Sequence, residues 1–411
     1  MKNQTQSASP IIAVIRDHIR QHGAAPFSWF MEQALYHPEF GYYTAPRVRV
    51  GRAGDYYTNV SVGPVYGQLL ASQLLEMWNV LDRPDRFTIV EQGAENGQLA
   101  SDILSALLDE SPKASECIRY VIVEPLLRNQ RQQRAILENN RSLLMRVTWC
   151  NDLTDLQPIT GAFISNELID AMPVRIVEYR DGGWAELFVG LAGDEFRFVP
   201  AKIVAPELSK VVSRIPLPPV APYRTEVNLA AAKWVRTVSS KLERGFVLTV
   251  DYGYTRDDFY KPERTEGTLS CYSRHRRFYN PFDRPGEIDI TAHVDFTSLA
   301  EDAEEAGLKL AGYTDQHHFM IGAAESRLLA LEQSVAFSRL NPTHSKFLRS
   351  YQTLMHPGNM GMVFKYLLLT KGLECCPKLS GFKFAADPWA SLESRARSLN
   401  QRSFGISHIH D

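Results

Sequence analysis

Phe87-Thr88-Ile89-Val90-Glu91-Gln92-Gly93-Ala94-Glu95-Asn96-Gly97 is the stretch that decides the fold. Four apolar or β-branched residues in a row, with no polar alternation, fit a short strand buried on both faces. The run stops at Glu91, and Gly93 and Gly97 follow. Gly93 allows a tight turn, and Gly97 allows close approach of the backbone at the start of a helix. That helix comes next, because Leu99, Ile103 and Leu107 recur every four residues and share one face.

The same unit repeats outward from this stretch. Tyr120-Val121-Ile122-Val123 ends in Glu124-Pro125, and a charged helix follows. Val147-Thr148-Trp149-Cys150 ends in Asn151-Asp152, and Ala162-Phe163-Ile164-Ser165 ends in Asn166-Glu167. Phe246-Val247-Leu248-Thr249-Val250 is a fifth apolar run, ending in Asp251. Later strands are expected at 308–315 and 362–371, with a helical insertion between them. Strands alternating with helices predict an α/β, Rossmann-like domain with a mostly parallel sheet. Ligands of such sheets lie outside the carboxyl ends of the strands. Glu91, Glu124, Asp152 and Asn166 are therefore predicted to meet at one rim.

The flanking segments read differently. Ser28 is placed to cap a helix, and Leu69, Gln73 and Met77 mark a second one over 65–81. Between them lies a loop dense in Gly, Pro and Tyr. Residues 174–200 form a β-meander around Asp181-Gly182-Gly183 and Ala192-Gly193-Asp194. A Pro-rich connection over 214–223 leads to a helix around 226–243. The expected division is 1–84 as an N-terminal helical and lid segment and 85–173 as the first part of the main domain. Residues 174–244 are the meander insertion and helix, 245–372 the second part with its helical insertion, and 373–411 a C-terminal tail.

Bulk composition excludes several classes. A formal net charge of −2 gives no general attraction to nucleic acid. The basic runs Arg274–Arg277 and Arg128–Arg134 read as solvated faces. No apolar run reaches the roughly 18 to 20 residues of a membrane helix, so no membrane span is expected. Arg16 and Asp17 interrupt Ile11–Ile15 too early for a signal core, and the start lacks an Arg- and Ser-rich, acid-poor leader. The expected location is cytoplasmic. Five cysteines include no C-x-x-C pair, and the adjacent Cys375 and Cys376 suit neither a disulfide nor a zinc site. His317-His318 and His408-Ile409-His410 lack partner carboxylates at ligand spacing, so no metal is expected.

The turn also discriminates among ligands. A dinucleotide fold sets a pyrophosphate on the helix N-terminus here, and Glu95 in mid-turn suits a polyanion poorly. A cationic sulfonium with an amino-acid tail has less reason to avoid it. Glu124 holds the position from which a carboxylate accepts both ribose hydroxyls of an adenosine. Asp152 is a candidate acceptor for the adenine amino group.

Longer strings carry a family resemblance. Tyr36-His37-Pro38-Glu39-Phe40-Gly41-Tyr42-Tyr43, Gly54-Asp55-Tyr56-Tyr57-Thr58-Asn59 and Asn166-Glu167-Leu168-Ile169-Asp170-Ala171-Met172-Pro173 are three of them. Asp251-Tyr252-Gly253, Asp289-Ile290-Thr291-Ala292-His293-Val294-Asp295-Phe296 and Met355-His356-Pro357-Gly358-Asn359-Met360-Gly361 complete the set. The chain resembles the MidA-like family of class I S-adenosylmethionine-dependent methyltransferases, relatives of the mitochondrial complex I assembly protein arginine methyltransferase. The resemblance implies a seven-stranded sheet and an amino-terminal segment folded over the cofactor. It further implies S-adenosyl-L-methionine as donor and a protein arginine as acceptor, by analogy on a respiratory-complex subunit. The family motif reads Glu-x-Gly-x-Gly-x-Gly, and this chain keeps Gly93 and Gly97 but has Glu95 at the middle glycine.

An arginine acceptor needs carboxylates that orient the guanidinium by paired hydrogen bonds and take up its proton. Glu167 and Asp170, just past the fourth strand, are the candidates, with Asp251 and His293 behind them. Each also has a structural alternative: Glu167 as a brace for an opposing loop, Asp170 as a cap, His293 as a satisfied buried ring. Gly54 and Thr58 belong to a lid loop whose amides, with Thr58, are placed to hold the methionine carboxylate. An assembly or binding protein that keeps the fold without turnover is the alternative that Glu95 favours. A small-molecule methyltransferase, with a closed apolar pocket, is another. The meander is a candidate substrate platform or homodimer surface.

Overall fold

The computed structural model describes residues 9–46, 54–55, 58–335, 342–385 and 389–390. The chain divides into two compact units, each assembled from three separate segments.

The larger unit comprises Asn59–Leu168, Trp234–Asp257 and Asp295–Asp411. Among the described residues, the main path of its sheet runs through β1 (Phe87–Gln92), β2 (Ile118–Val123), β3 (Val147–Cys150), β4 (Ile159–Asn166), β5 (Leu242–Tyr254), β6 (Lys309–Asp315) and β7 (Phe364–Lys371). They lie side by side in the order β3-β2-β1-β4-β5-β7-β6, with the two-residue strand Val294–Asp295 off this path. Neighbours from β3 to β5 are parallel, whereas β7 runs antiparallel to both β5 and β6. The chain order reverses between β1 and β4, the place where such sheets open a ligand crevice. The sheet is α/β and Rossmann-like, as its apolar runs predicted. Phe246, Val247, Leu248 and Val250 are all buried, which is why β5 shows no alternation. Helices Val65–Val80 and Gln98–Glu110 pack on it through Leu69, Leu74, Ile103 and Leu107.

The smaller unit comprises Met1–Thr58, Ile169–Lys233 and Asp258–Val294. Its main sheet is antiparallel. Strands Arg175–Arg180, Gly183–Ala192 and Glu195–Ala201 are the expected meander. Asp181 and Gly182, both with positive φ, close the first hairpin. Helices Pro10–His22 and Phe27–Tyr36 cover this sheet through Ile11, Ile15 and Ile19 and through Phe27, Phe30 and Met31.

Two local expectations are corrected. Ser28 lies inside the first turn of its helix, because Pro26 holds the N-cap position. The helix expected from residue 226 starts at Leu229, and Tyr223–Val227 is instead a strand paired with Arg175–Arg180. Asn228 sets the boundary, its Oδ1 accepting the Ala231 N–H at 2.9 Å. In the tail, the amides of Ser380 and Gly381 donate to Glu76 Oε2 and Gln73 Oε1, docking that segment on Val65–Val80. Among the described residues no helix is long and apolar enough to cross a membrane.

Candidate functional site

Strand register places the carboxyl ends of β1 to β5 level with one another. Gln92 pairs with Val123 and with Ser165, Val123 with Cys150, and Asn166 with Val250. The Glu124 N–H donates to Cys150 O and the Glu167 N–H to Val250 O, each at 2.9 Å. Glu124 and Glu167 therefore follow β2 and β4 directly, Glu91 is the last residue but one of β1, Asn166 ends β4, and Asp251 lies inside β5 level with that end. Asp152, expected beside them, is exposed two residues past β3.

The turn after β1 alternates in hand. Gly93, Glu95 and Gly97 have φ of 83°, 47° and 86°. Glu95 thus adopts the left-handed conformation a glycine takes easily, at a cost of about 1–2 kcal/mol for a residue with a Cβ. Its Oε2 turns back to accept the Asn96 N–H at 2.8 Å, and Asn96 Oδ1 in turn accepts the Gln98 N–H at 3.0 Å. The turn forms despite the missing glycine.

Glu91 is buried, and Tyr120 donates its hydroxyl to Oε2 at 2.8 Å. Burial pushes the carboxyl up to about 7, against the pull of that hydrogen bond. Glu91 also lines a small cavity with Tyr66, Leu99, Ser165, Asn166 and Val250. Glu124 accepts from the Leu126 N–H at 2.9 Å, from Asn129 Nδ2 at 3.1 Å and from Gln133 Nε2 at 3.3 Å. Asp152 Oδ1 accepts from both the amide and the hydroxyl of Thr154, capping a short 3₁₀ turn.

Asn166 is fixed from two sides. Tyr66 donates to its Oδ1 at 2.6 Å, and its Nδ2 donates to Glu167 Oε1 at 3.1 Å. Burial holds the Tyr66 phenol well above its ordinary range, so it remains a donor. Glu167 itself sits at φ 52°, a strained position for a side chain of its size. Asp251 is buried, with Oδ1 accepting the Tyr252 N–H at 2.8 Å.

Gly54, Thr58, Asp170 and His293 belong to the smaller unit. Gly54 and Thr58 are buried, and Tyr56 and Tyr57 lie outside the described residues. Between them Asp55 is anchored by the Tyr42 hydroxyl and the Arg274 N–H, each at 2.7 Å. The Asp170 carbonyl accepts the Ala292 N–H at 2.9 Å. His293 donates its backbone N–H to Thr268 Oγ1 at 3.0 Å. Burial, reinforced by Arg264 and Arg277, pushes the His293 ring down to about 4.

Sequence reasoning missed Tyr66, Asn129 and Gln133. Asn129 and Gln133 are four residues apart on the face of the Leu127–Leu137 helix that also buries Leu137. Two amides on the apolar stripe of a charged helix were the available signal.

A doubly wound sheet with a glycine turn after its first strand and a held acid after its second defines the class, a Rossmann-like domain built to take a nucleoside-bearing ligand. Residues 69–314 match the model of a family described as "Putative S-adenosyl-L-methionine-dependent methyltransferase". The chain belongs to that family, and its cofactor is S-adenosyl-L-methionine.

Similar proteins agree with this. A Burkholderia thailandensis protein crystallised with S-adenosyl-homocysteine superposes with a TM-score of 0.81 at 31% identity, over 91% of this chain and 95% of that one. The Drosophila melanogaster protein arginine methyltransferase NDUFAF7 homolog, mitochondrial, is 28% identical over 385 residues, 87% of this chain and 84% of that protein. The Homo sapiens protein arginine methyltransferase NDUFAF7, mitochondrial, is 26% identical over 389 residues, covering 88% and 83%.

These relatives correct the expected cytoplasmic location. They are mitochondrial proteins by name, which overturns the cytosolic expectation. The cytoplasmic expectation rested on the lack of a recognisable leader, and a missing signal carries no positive information about location.

Proposed function

We propose that this methyltransferase modifies an arginine side chain of a protein substrate, by family analogy a respiratory-complex subunit. The observation that carries the reading is the set of carboxylates Glu124 and Glu167, just past β2 and β4, and Asp251, level with them on β5. An anionic rim favours a sulfonium donor and a guanidinium acceptor over phosphate-bearing ligands. The names of the Drosophila and human relatives support the same acceptor.

The residues present suit the cofactor. The turn through Gly93 and Gly97, packed on Leu168 and Gln133, would lie beside the cofactor, Glu124 would accept from the ribose hydroxyls, and Asp152 and Asn166 would complete the site. When bound, the cofactor supplies an electrophilic methyl carbon on a positively charged sulfur. Glu167 and Asp251 would orient the guanidinium by paired hydrogen bonds, and one of them would take up the proton that the guanidinium gives up. His293 is assigned no proton-taking part, because a ring near 4 has little affinity for a proton at neutral pH. Gly54, Thr58 and Asp170 stay candidates on the strength of the family strings.

The reading without turnover loses support from the Glu95 backbone, which keeps the glycine-like hand. The test is incubation of the full chain with methyl-labelled cofactor and a lysate, followed by mass spectrometry of the labelled band. Methylarginine in a labelled protein is expected, and a Glu124→Ala chain should give none. Label on lysine or on a small molecule, or undiminished label with Glu124→Ala, would overturn the assignment. A homodimer is tested by light scattering, where a mass near 46.5 kDa returns a monomer.

A further inference from the structure

We infer that Gln133 is a positioning residue for the cofactor, tying the glycine turn to the ribose-holding acid. The inference rests on the assignment of Glu124 to the ribose. Gln133 is wholly buried. Its Nε2 donates to the Glu95 carbonyl at 3.0 Å and to Glu124 Oε2 at 3.3 Å, while its Oε1 accepts from Trp149 Nε1 at 2.8 Å. One amide thus holds the ends of β1, β2 and β3.

Chemistry fixes the direction of that amide. The indole N–H of Trp149 is a donor only, so it selects the oxygen and turns the NH₂ toward Glu95 and Glu124. Both amide hydrogens then have acceptors, as a buried donor requires. Access for Gln133 depends on Gly97: a Cβ at that position would lie 3.1 Å from Gln133 Cα, Cβ and Cγ. The Gln133 amide therefore links the turn to the acid, beside the Leu126 N–H and Asn129 contacts that also hold Glu124.

A carboxylate held in place before the ligand arrives loses less conformational freedom on binding. Removing the Gln133 donor should accordingly appear in affinity. The ligand probe is S-adenosylhomocysteine, measured by calorimetry against the full chain. Gln133→Met, close in volume but without donors, should weaken binding roughly tenfold to a hundredfold, the range for losing a hydrogen bond to a charged group. The double variant with Glu124→Ala should bind no more weakly than Glu124→Ala alone, because both changes act through the same carboxylate.

Gln133→Glu gives a readout that a purely structural role would not move. It sets a second carboxylate against Glu124, with the Glu95 carbonyl on one side and Arg134, stacked 3.9 Å over the Trp149 ring, on the other. Two such acids share a proton as the pH falls. Affinity of Gln133→Glu should rise as the pH falls and the pair takes up a proton, while that of Gln133→Met stays level.

If Glu124→Ala weakens binding but Gln133→Met stays within about twofold of the wild type, the inference is overturned and the ribose assignment stands. If Glu124→Ala binds as tightly as the wild type, the ribose assignment itself fails. Should Gln133→Met not fold, Trp149→Phe releases the amide while keeping Gln133. It should lower affinity by roughly threefold or more, and an unchanged affinity overturns the inference.

Discussion

Glu91→Gln replaces the buried acid at the end of β1 with a neutral group of nearly the same shape, which still accepts the Tyr120 hydroxyl. Burial raises Glu91 from 4.5 to about 7. The folded chain therefore keeps a proton that the unfolded chain releases. Stability from this group is intact below pH 4.5, falls as the pH climbs, and has been lost once the pH passes about 7. The gap, at about 1.36 kcal/mol per pH unit, amounts to about 3 kcal/mol.

His293 works in the opposite direction. Its value falls from 6.5 to about 4, so the unfolded chain binds the extra proton and stability is lost as the pH drops from 6.5 toward 4. The two slopes offset one another in the wild type, and the substitution exposes the one that remains. Urea unfolding of both chains between about pH 4.5 and about pH 8 isolates Glu91, because every other titration cancels in the difference. Glu91→Gln should gain about 3 kcal/mol on the wild type across that range. A difference flat to within about 0.5 kcal/mol, the ordinary scatter of a surface substitution, would refute the buried-acid reasoning.

Two further outcomes follow from single contacts. Glu95→Gly removes a left-handed side chain but adds freedom to the unfolded chain, so stability should shift by less than about 1 kcal/mol. S-adenosylhomocysteine affinity, read by calorimetry, should change by no more than about threefold, and a tenfold loss would show that the carboxylate itself takes part in binding. Asn228→Ala deletes the cap on Ala231 and the donor to the Ile169 carbonyl. It should cost about 1–2 kcal/mol by chemical denaturation, and an unchanged midpoint would deny the cap its role in setting the helix start.

The sheet was legible because its strands are buried on both faces and each stops at a polar residue. Phe87–Val90 and Phe246–Val250 could be read without any partner in view. The common level of the ends of β1 to β4 was legible for the same reason, since parallel order puts their last residues at one edge. Pairing that depends on distant partners was not. Tyr223–Val227 becomes a strand only by joining Arg175–Arg180, and nothing in Tyr-Arg-Thr-Glu-Val announces that neighbour. Gln133 was hidden in a helix whose arginines set the overall impression, although its amide faces inward. Nor could the division into two units be seen, because each gathers segments far apart along the chain.

The place of β7 has a consequence for biosynthesis. It enters between β5 and β6, yet it is the last of the seven to leave the ribosome. Until residues 364–371 emerge, the apolar edge of β5 lacks its final partner and β6 has no strand to pair with. A nascent chain of that length presents an unpaired edge, the kind of surface that recruits chaperones or other chains. Chains stalled just before residue 364 should be cut readily by protease at β6, and chains released after residue 371 should resist.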